Sequence, residues 1–286
     1  TYIHQSADGV LDLVSDTEIE INATTIDMNG AVDMSSTLTV ADDVNFDSNT
    51  FFVDASESKV GINTNSPSRA LDIVSPSDSI AINLRTRASD DTFSFITFKD
   101  NDLSDSEFFA QIAGKRTGTD AGELQFYTSG DNLRLTIGSS GAITAPTQPA
   151  FLANPSGSQD NIAISSDVTV AFGTEVFDQG SNFNNSSGTF TAPVTGKYQL
   201  NTNLSLTGMD TGADSIIVKF VASNRTISFS IIDPDLFDQD GQYFATGSCL
   251  MDMDANDTVV VKVRQNAGAQ QMDVDTDSTF SGYLAC

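Results

Sequence analysis

The chain has 286 residues with 39 acidic and 13 basic side chains, which gives a formal net charge of −26. Nucleic acids and anionic membrane surfaces are bound through basic patches, so this charge argues against both as natural partners. No apolar run approaches the roughly 18 residues that a membrane helix needs, so we expect no membrane insertion.

The residue types that most catalytic sites need are scarce. The single histidine, His4, lies near the start of the chain, which leaves a Ser-His-Asp or Cys-His arrangement without a well-placed base. Cys249 and Cys286 lack the Cys-x-x-Cys spacing and the neighbouring histidines of a metal site. Carboxylate pairs are not excluded, but none stands out among so many acids. We therefore predict no catalytic residues and no enzymatic activity.

Helical periodicity is nearly absent, and period-2 runs broken by Asp, Asn, Ser, Gly and Pro predict an all-β protein. Residues 1–58 are predicted to form a repetitive β-stalk, because apolar-x-apolar pairs recur there every six residues. The pairs are Ile26/Met28, Val32/Met34, Leu38/Val40 and Val44/Phe46, preceded one residue out of step by Ile19/Ile21.

Such short strands cannot bury their own apolar side, so these units must stack or be shared between chains. Two architectures satisfy this requirement: a single-chain β-solenoid, and a fibre in which three chains surround a common axial core. A left-handed hexapeptide solenoid prefers a small residue between the paired apolar positions. This sequence places Asp27, Asp33, Thr39 and Asn45 there. The pattern favours the intertwined trimer.

Residues 59–148 are predicted to form a small β-meander that ends in a proline-stiffened linker at 144–148. The region opens with KVGINTNSPSRALDI and continues through FSFITFKD, EFFAQIAGKR, GELQFYTSG and NLRLTIGSSGAI. In style, residues 10–148 resemble the shafts of phage tail fibres, in which VGIGT followed by SP and LDI recurs. Asn63 stands where that motif has glycine, which weakens the turn but not the strand pairing.

The segment GTFTAPVTGKYQL, at 188–200, predicts a strand, a fixed corner and a second strand. Pro193 ends the first ladder because it has no N–H to donate, and Gly196 is expected to let the backbone reverse. Apolar residues then alternate with polar ones, which predicts one buried and one wet face. The buried positions are Tyr198, Leu200, Leu204 and Leu206.

Residues 149–286 as a whole resemble the globular head of complement component one, subcomponent q (C1q), a jelly roll related to tumour necrosis factor (TNF). The matching positions, in the order of the family, are Pro149, Phe151, Gly188, Phe190, Ala192, Pro193, Gly196, Tyr198, Phe280, Ser281, Gly282, Tyr283 and Leu284. Asn256 replaces a glycine before Asp257, a change that a left-handed turn tolerates. The resemblance implies a TNF-like β-sandwich that forms homotrimers.

The same resemblance places three loops, residues 208–215, 233–242 and 267–278, at the apex of the head. Loops at the far tip of a fibre meet a target first. The predicted receptor-binding residues are Asp210, Asp214, Asp235, Phe237, Asp238, Asp240, Gln271 and Met272. Of the apolar residues in these loops, Leu236, Phe237 and Met272 either contact a ligand or pack back against the sandwich.

Asp273, Asp275 and Asp277 are candidate ligands of Ca²⁺, which takes carboxylate oxygens; the alternative is a set of solvated turn aspartates. The segment is not an EF-hand loop. Ser278 stands where that loop needs glycine, and Leu284 stands where it needs a bidentate acid.

Together these resemblances imply a homotrimeric phage tail fibre on the virion surface, outside the cell. Its head would bind a host glycan or protein, and its N-terminal side would contact other virion proteins. A head fibre, whisker or collar decoration with a purely structural role fits the same sequence. A glycan depolymerase tail spike is disfavoured because the shaft is thin and its acids are spread along strands and turns. A bacterial surface adhesin is a further alternative, although no signal peptide is visible.

Overall fold

The computed structural model describes residues 2–4, 12–15, 18–21, 25–29, 31–47, 50–75, 82, 84, 93–99, 108–236 and 241–286. These residues form β-strands and one 3₁₀ turn, without an α-helix, so the all-β prediction is confirmed. Within the same ranges, no helix is long and apolar enough to cross a membrane. The chain divides into two compact units, Thr1–Asn83 and Leu84–Cys286.

The first unit contains a two-stranded antiparallel pair and a four-stranded sheet. The pair consists of β1 (Tyr2–His4) and β2 (Asp12–Val14). The sheet has the order β3 (Val44–Phe46), β4 (Phe51–Asp54), β5 (Lys59–Ile62) and β6 (Leu71–Ile73). Strands β5 and β6 are parallel, which a meander does not predict. The boundary predicted after residue 58 falls at the end of the turn between β4 and β5. These two strands pair with each other across that boundary.

The six-residue repeat stays exposed in the single chain. Of its described residues, only Val44–Phe46 form a strand. The exposed fraction lies between 45% and 62% for Ile19, Ile21, Ile26, Met28, Val32, Met34, Leu38, Val40 and Phe46. One chain therefore does not assemble a solenoid core from the described part of this segment.

The second unit begins with a five-stranded antiparallel sheet, as the meander pattern predicts. In chain order its strands are β7 (Phe93–Phe98), β8 (Ala110–Gly118), β9 (Ala121–Thr128), β10 (Asn132–Ile137) and β11 (Ile143–Thr144). Each strand pairs with its neighbours in sequence, so the order across the sheet is β11-β10-β9-β8-β7.

The rest of the second unit is a two-sheet jelly roll. The front sheet has the order β14 (Thr174–Gln179), β12 (Ala150–Asn154), β23 (Thr279–Leu284), β17 (Gly196–Thr207) and β20 (Tyr243–Met253), and β22 (Asp273–Val274) also pairs with β17. The back sheet has the order β15 (Phe183–Asn184), β16 (Thr189–Thr191), β21 (Thr258–Ala267), β18 (Ala213–Ala222) and β19 (Thr226–Ile232), and β13 (Val168–Thr169) pairs with β21. The 3₁₀ turn, Pro234–Leu236, follows β19.

The core lies between these two sheets and is built around Phe280. Its ring lies 4.9 Å from that of Phe151 and 5.9 Å from that of Phe220, centroid to centroid. The four alternating residues predicted to be buried on β17 are all inaccessible to solvent. Tyr198 keeps its hydroxyl satisfied by donating a hydrogen bond to the carbonyl oxygen of Val194, at 2.8 Å.

The corner at 193–196 forms as predicted, but glycine is needed at position 196 for a different reason. A Cβ atom there would lie 2.9 Å from the carbonyl oxygen of Cys286 and 2.6 Å from Cδ1 of Leu284. Glycine is therefore required because the end of the chain packs directly on the start of β17. Asn63 and Asn256 do adopt the left-handed backbone, with φ of 58° and 75°, where the related motifs have glycine.

We expect Phe280→Ala to lower the free energy of unfolding of the jelly roll by about 3–5 kcal/mol, because it leaves a cavity among packed aromatic rings. Chemical denaturation followed by tyrosine fluorescence measures this change. Ile231→Ala is the matched control, since Ile231 is 71% exposed on β19 and should change stability by less than about 0.5 kcal/mol. Equal losses for the two variants would contradict this description of the core.

Candidate binding surfaces of the C-terminal domain

The antiparallel ladders define a base and an apex of the jelly roll. The first strand begins and the last strand ends at the base, where Ala150 pairs with Tyr283. Gln148 also donates a hydrogen bond from Nε2 to the carbonyl oxygen of Leu284, at 2.6 Å. The connections that follow β17, β19 and β21 therefore leave their strands at the opposite end, as predicted for the apex loops.

A fourth segment, residues 155–167, also contributes to the apex and was not predicted. Gln159 forms an isolated bridge with Val274, and the amide of Ile162 donates to the carbonyl oxygen of Met272, at 2.8 Å. The amide of Asn161 donates to Oδ1 of Asp273, at 2.7 Å. The only sequence signal is its run of Ser, Asn, Asp and Gly after the first strand, which predicts a loop but not its contacts.

Asp210 joins two apex loops through backbone hydrogen bonds. Its carboxylate accepts hydrogen bonds from the amides of Gln270, at 2.8 Å, of Gly212, at 2.8 Å, and of Ala269. These bonds favour the charged form, so they hold the pKa of Asp210 below its usual value. The carboxylate of Asp210, which was predicted to bind a receptor, thus holds the backbone of two apex loops in place.

Asp273, Asp275 and Asp277 have different partners. Asp273 accepts from the amide of Asn161, and Asp275 accepts from the amide of Thr276, at 2.6 Å. Oδ2 of Asp277 lies 3.4 Å from Nε2 of Gln242. Across the ranges that the structure describes, no group of three acidic, histidine or cysteine side chains could hold a metal ion. One chain therefore does not assemble the predicted Ca²⁺ ligands, and calcium binding stays a prediction.

The prediction that Met272 contacts a receptor is wrong for the single chain, because the side chain of Met272 is fully buried in the core. The alternative given for the apolar loop residues, packing against the sandwich, describes it correctly. Gln271 is exposed, but its amide is used to hold the fourth segment: Nε2 donates to the carbonyl oxygens of Asn161, at 3.2 Å, and Ile162, at 3.3 Å.

The exposed side chains of the apex loops include two predicted carboxylates and one apolar residue. Asp214 and Asp235 are exposed carboxylates, and Leu236 is 78% exposed at the end of the 3₁₀ turn. The predicted contacts Phe237, Asp238 and Asp240 lie outside the described residues. The part of the apex that the structure describes thus offers an apolar side chain together with carboxylates.

A second surface, the outer face of the front sheet, was not singled out from the sequence. Alternation and register assign to it Asn154, Leu152, Ala150, Phe177, Gln179, Tyr283, Ser281, Thr279, Gln199, Asn201, Asn203, Phe244, Thr246, Ser248 and Leu250. None of these fifteen residues, which we call the front face, is charged. At the base, the same register adds to this side of the sheet a cross-strand pair of opposite charge, Lys197 and Asp252.

The front face has apolar borders and a polar centre. Phe177 and Tyr283, 50% and 49% exposed, line a depression of about 290 Å³ towards one edge. Phe244 and Leu250, 54% and 56% exposed, lie on β20 at the other edge. Large apolar side chains at this exposure are typical of a surface that another protein covers.

Side-chain amides and hydroxyls of β17 and β20 form a row of hydrogen-bonded groups on this face. Nε2 of Gln199 donates to Oγ of Ser248, at 2.9 Å, and that hydroxyl lies 2.9 Å from Oδ1 of Asn201. Oγ1 of Thr246 donates to Oδ1 of Asn203, at 3.1 Å. We call this set the polar row. Its groups are partly satisfied within one chain, which lowers the cost of covering them.

We expect Asp210→Asn to lower the melting temperature at pH 7, because an amide cannot accept all three backbone hydrogen bonds as a carboxylate does. The folded-state pKa of Asp210 is below its unfolded value, so its stabilisation is present above about pH 4 and is lost as pH falls through the folded-state pKa. The variant should therefore lose less stability than the parent on acidification. Thermal melts at several pH values test this, with exposed Asp214→Asn as the control; identical pH profiles for parent and variant would contradict it.

Comparisons with known proteins cover the C-terminal half. The family model "C1q domain" matches residues 150–285. Among solved structures, the globular domain of zebrafish complement 1qA protein is 19% identical and covers 49% of this chain and 98% of its own, with a TM-score of 0.36. Murine APRIL, at pH 8.0, is 15% identical and covers 48% of this chain and 98% of its own, with a TM-score of 0.35. No curated protein sequence matches significantly.

The matched segment coincides with the jelly roll from β12 to the end of β23, and its two sheets form the predicted β-sandwich. C1q/TNF-like domains commonly form trimers and bind ligands, and they are typically non-enzymatic. Residues 150–285 of this chain are a C1q/TNF-like jelly-roll domain.

Proposed function

We propose that this chain is a non-enzymatic, homotrimeric fibre protein of a phage virion, in which the C1q/TNF-like domain forms the head and binds a host receptor. The N-terminal side joins other virion proteins, and the fibre stands on the virion surface, outside the cell. The observation that carries the trimer is the front face, which has exposed aromatic side chains and is bordered by charge only at the base, where Lys197 lies opposite Asp252.

The charge of the chain makes this face unusual. Each copy carries a formal charge of −26, so copies repel one another wherever acidic surfaces meet. Burying an unpaired carboxylate against another copy would cost more still. A face of fifteen uncharged residues is the kind of surface on which three such chains can associate. The acidic remainder of the surface is left in solvent, where salt screens it.

The two apolar borders suit a closed ring. In a three-fold assembly, one edge of each copy meets the opposite edge of the next, and the rotation closes after three contacts. On the front face, this brings Phe177 and Tyr283 of one copy towards Phe244 and Leu250 of its neighbour. Buried aromatic anchors of this kind contribute much of the stability of an interface.

The exposed six-residue repeat provides independent support. Its apolar side chains remain in solvent in one chain, as expected for strands that share an axial core with two other copies. The resemblance of residues 10–148 to phage tail fibres supports the virion context. A trimeric stalk and a trimeric head would then have the same symmetry along one chain.

Receptor binding is proposed for the apex, where Asp214, Asp235 and Leu236 are exposed. A single apex with so few groups would bind weakly. Three copies per fibre, and several fibres per particle, raise the avidity without any new contact.

We expect the chain to sediment with a mass near three times the 30.3 kDa of one copy. Leu250→Asp should shift this mass towards one copy, because it buries a carboxylate in each of the three interfaces. Ile231→Asp is the matched control, since it adds the same charge to an exposed position on the back sheet. A monomeric parent chain would overturn the proposed trimer.

Calcium binding at the apex is proposed only for the assembled trimer, with Asp273, Asp275 and Asp277 as ligands. We expect the trimer to melt at a lower temperature in EDTA than in Ca²⁺, and Asp275→Asn to remove this difference. A melting temperature that does not respond to EDTA would show that these carboxylates are solvated turn residues.

We expect Leu236→Asp to reduce adsorption of particles that carry the fibre by about tenfold or more. The substitution removes an apolar anchor and adds a carboxylate that repels an acidic ligand and must be desolvated against an apolar one. Adsorption to host cells measures this, with Ile231→Asp as the control. Particles that assemble normally and adsorb equally well would favour the alternative of a head fibre, whisker or collar decoration.

A further inference from the structure

The five-stranded sheet of residues 93–144 has two faces of opposite character. The register assigns to one of them Ser94, Ile96, Phe98, Ala110, Ile112, Gly114, Leu124, Phe126, Thr128, Leu135, Ile137 and Ile143. Eight of these twelve residues, which we call the neck face, are large and apolar, and none is charged. The same register adds Arg116, opposite Gly122, to this side of the sheet, and Arg134 reaches it by donating from Nε to Oγ1 of Thr128, at 2.8 Å.

The opposite face of the same sheet is more polar and internally bonded, apart from the stacked rings of Phe93 and Phe95. We call it the polar face. Nε2 of Gln111 donates to Oγ1 of Thr97, at 3.0 Å, and Nε2 of Gln125 donates to Glu123, at 2.9 Å. The hydroxyl of Tyr127 donates to Oε1 of Gln125, at 2.5 Å. These hydrogen bonds satisfy polar side chains of this face while the face is in contact with water.

Burial in the single chain does not follow polarity, since four of the eight large apolar side chains of the neck face are exposed and the other four are half-buried. On the polar face, Ala113 is inaccessible and Gln125 is 6% exposed. On the neck face, Ile96 is 51% exposed, Phe98 is 44% exposed and Ile143 is 67% exposed. A soluble sheet normally places its apolar side on a core and its polar side in solvent. The neck face consequently lacks a covering layer in the described part of the chain.

We infer that two further copies of this chain cover the neck face, so that three sheets enclose a second hydrophobic core immediately before the head. This inference rests on the proposed trimer, but it concerns a surface separate from the front face. The absence of acids is the first argument. A face that meets its own copy meets identical charges, and in a chain with 39 acids this face has none.

The attachment of the sheet to the head is the second argument. Strand β11 ends at Thr144, and the head begins with β12 at Ala150. Nε2 of Gln179, in the head, donates to the carbonyl oxygens of Ala145, at 2.9 Å, and Gln148, at 2.5 Å, so the connection is held against the base of the jelly roll.

Head trimerisation would therefore hold three neck faces close together. The association of the sheets then becomes effectively intramolecular and is favoured by a high local concentration. The sheets of the other two copies are therefore already close to the neck face and can cover it. An unrelated apolar partner would have to compete against two tethered sheets.

Thiol labelling of single-cysteine variants tests the inference in the full chain. Cys249 and Cys286 are first replaced by serine, and cysteine is then introduced as Ile96→Cys on the neck face or Phe95→Cys on the polar face. These neighbours lie on one strand and are 51% and 46% exposed in the single chain, which makes them a matched pair. Ile143→Cys, at the opposite edge of the sheet, is the second neck-face variant.

We expect Ile96→Cys and Ile143→Cys to react with a maleimide about tenfold or more slowly than Phe95→Cys in the native trimer, and equally fast in urea. The mass of each variant is measured first. A trimer in which all three thiols react at similar rates would overturn the inference and leave the trimeric head intact. A monomer would overturn the proposed trimer, and the shared neck core with it.

Discussion

Like-charge repulsion between copies is the constraint on which the proposed assembly depends. With 39 acids and 13 bases, any two acidic surfaces of this chain repel each other, and a buried carboxylate without a partner would oppose association strongly. The front face and the neck face resolve this conflict in the same manner, because both keep acids away from their centres. The front face meets an acid only at the base, where Asp252 lies opposite Lys197, and the side of the sheet that holds the neck face carries Arg116 and Arg134 but no acid. The acids occupy turns, loops and other exposed positions, where they favour solubility and resist non-specific contact.

Strand periodicity makes this segregation possible at little cost. Successive side chains of a strand point to opposite faces, so a two-residue alternation decides which residues meet the core and which meet a neighbour. On β17 the core side carries Tyr198, Leu200 and Leu204, whereas the other side carries Gln199, Asn201 and Asn203. The outward residues of this strand are polar, and the one that is charged, Lys197, is basic, so none is an acid. A strand whose outer side faced only water would have no reason to avoid the acids that are common elsewhere in this chain.

The sequence predicts the features that depend on local rules. Alternation identifies the buried residues of β17, and the Pro-x-x-Gly corner and the ends of the jelly roll follow from residues whose backbone behaviour is fixed. Features that depend on contacts distant in sequence are not predictable in this way. Asp210 binds amides about 60 residues away, Met272 fills the core from within a polar loop, and Gly196 is required by the end of the chain. The neck face was missed because its pairing register, not its composition, collects the apolar residues on one side.

The polar row gives the front face a property that apolar contacts alone would lack. Apolar surfaces tolerate sliding, because their attraction depends weakly on direction. Hydrogen bonds between Gln199, Asn201 and Ser248 fix these groups in one geometry before association, at 2.9–3.2 Å. Where two copies meet over such a row, only a register that keeps its donors and acceptors satisfied avoids the cost of buried, unpaired polar groups. Apolar borders would then supply the stability of the trimer, while the polar row would select one alignment of the three chains.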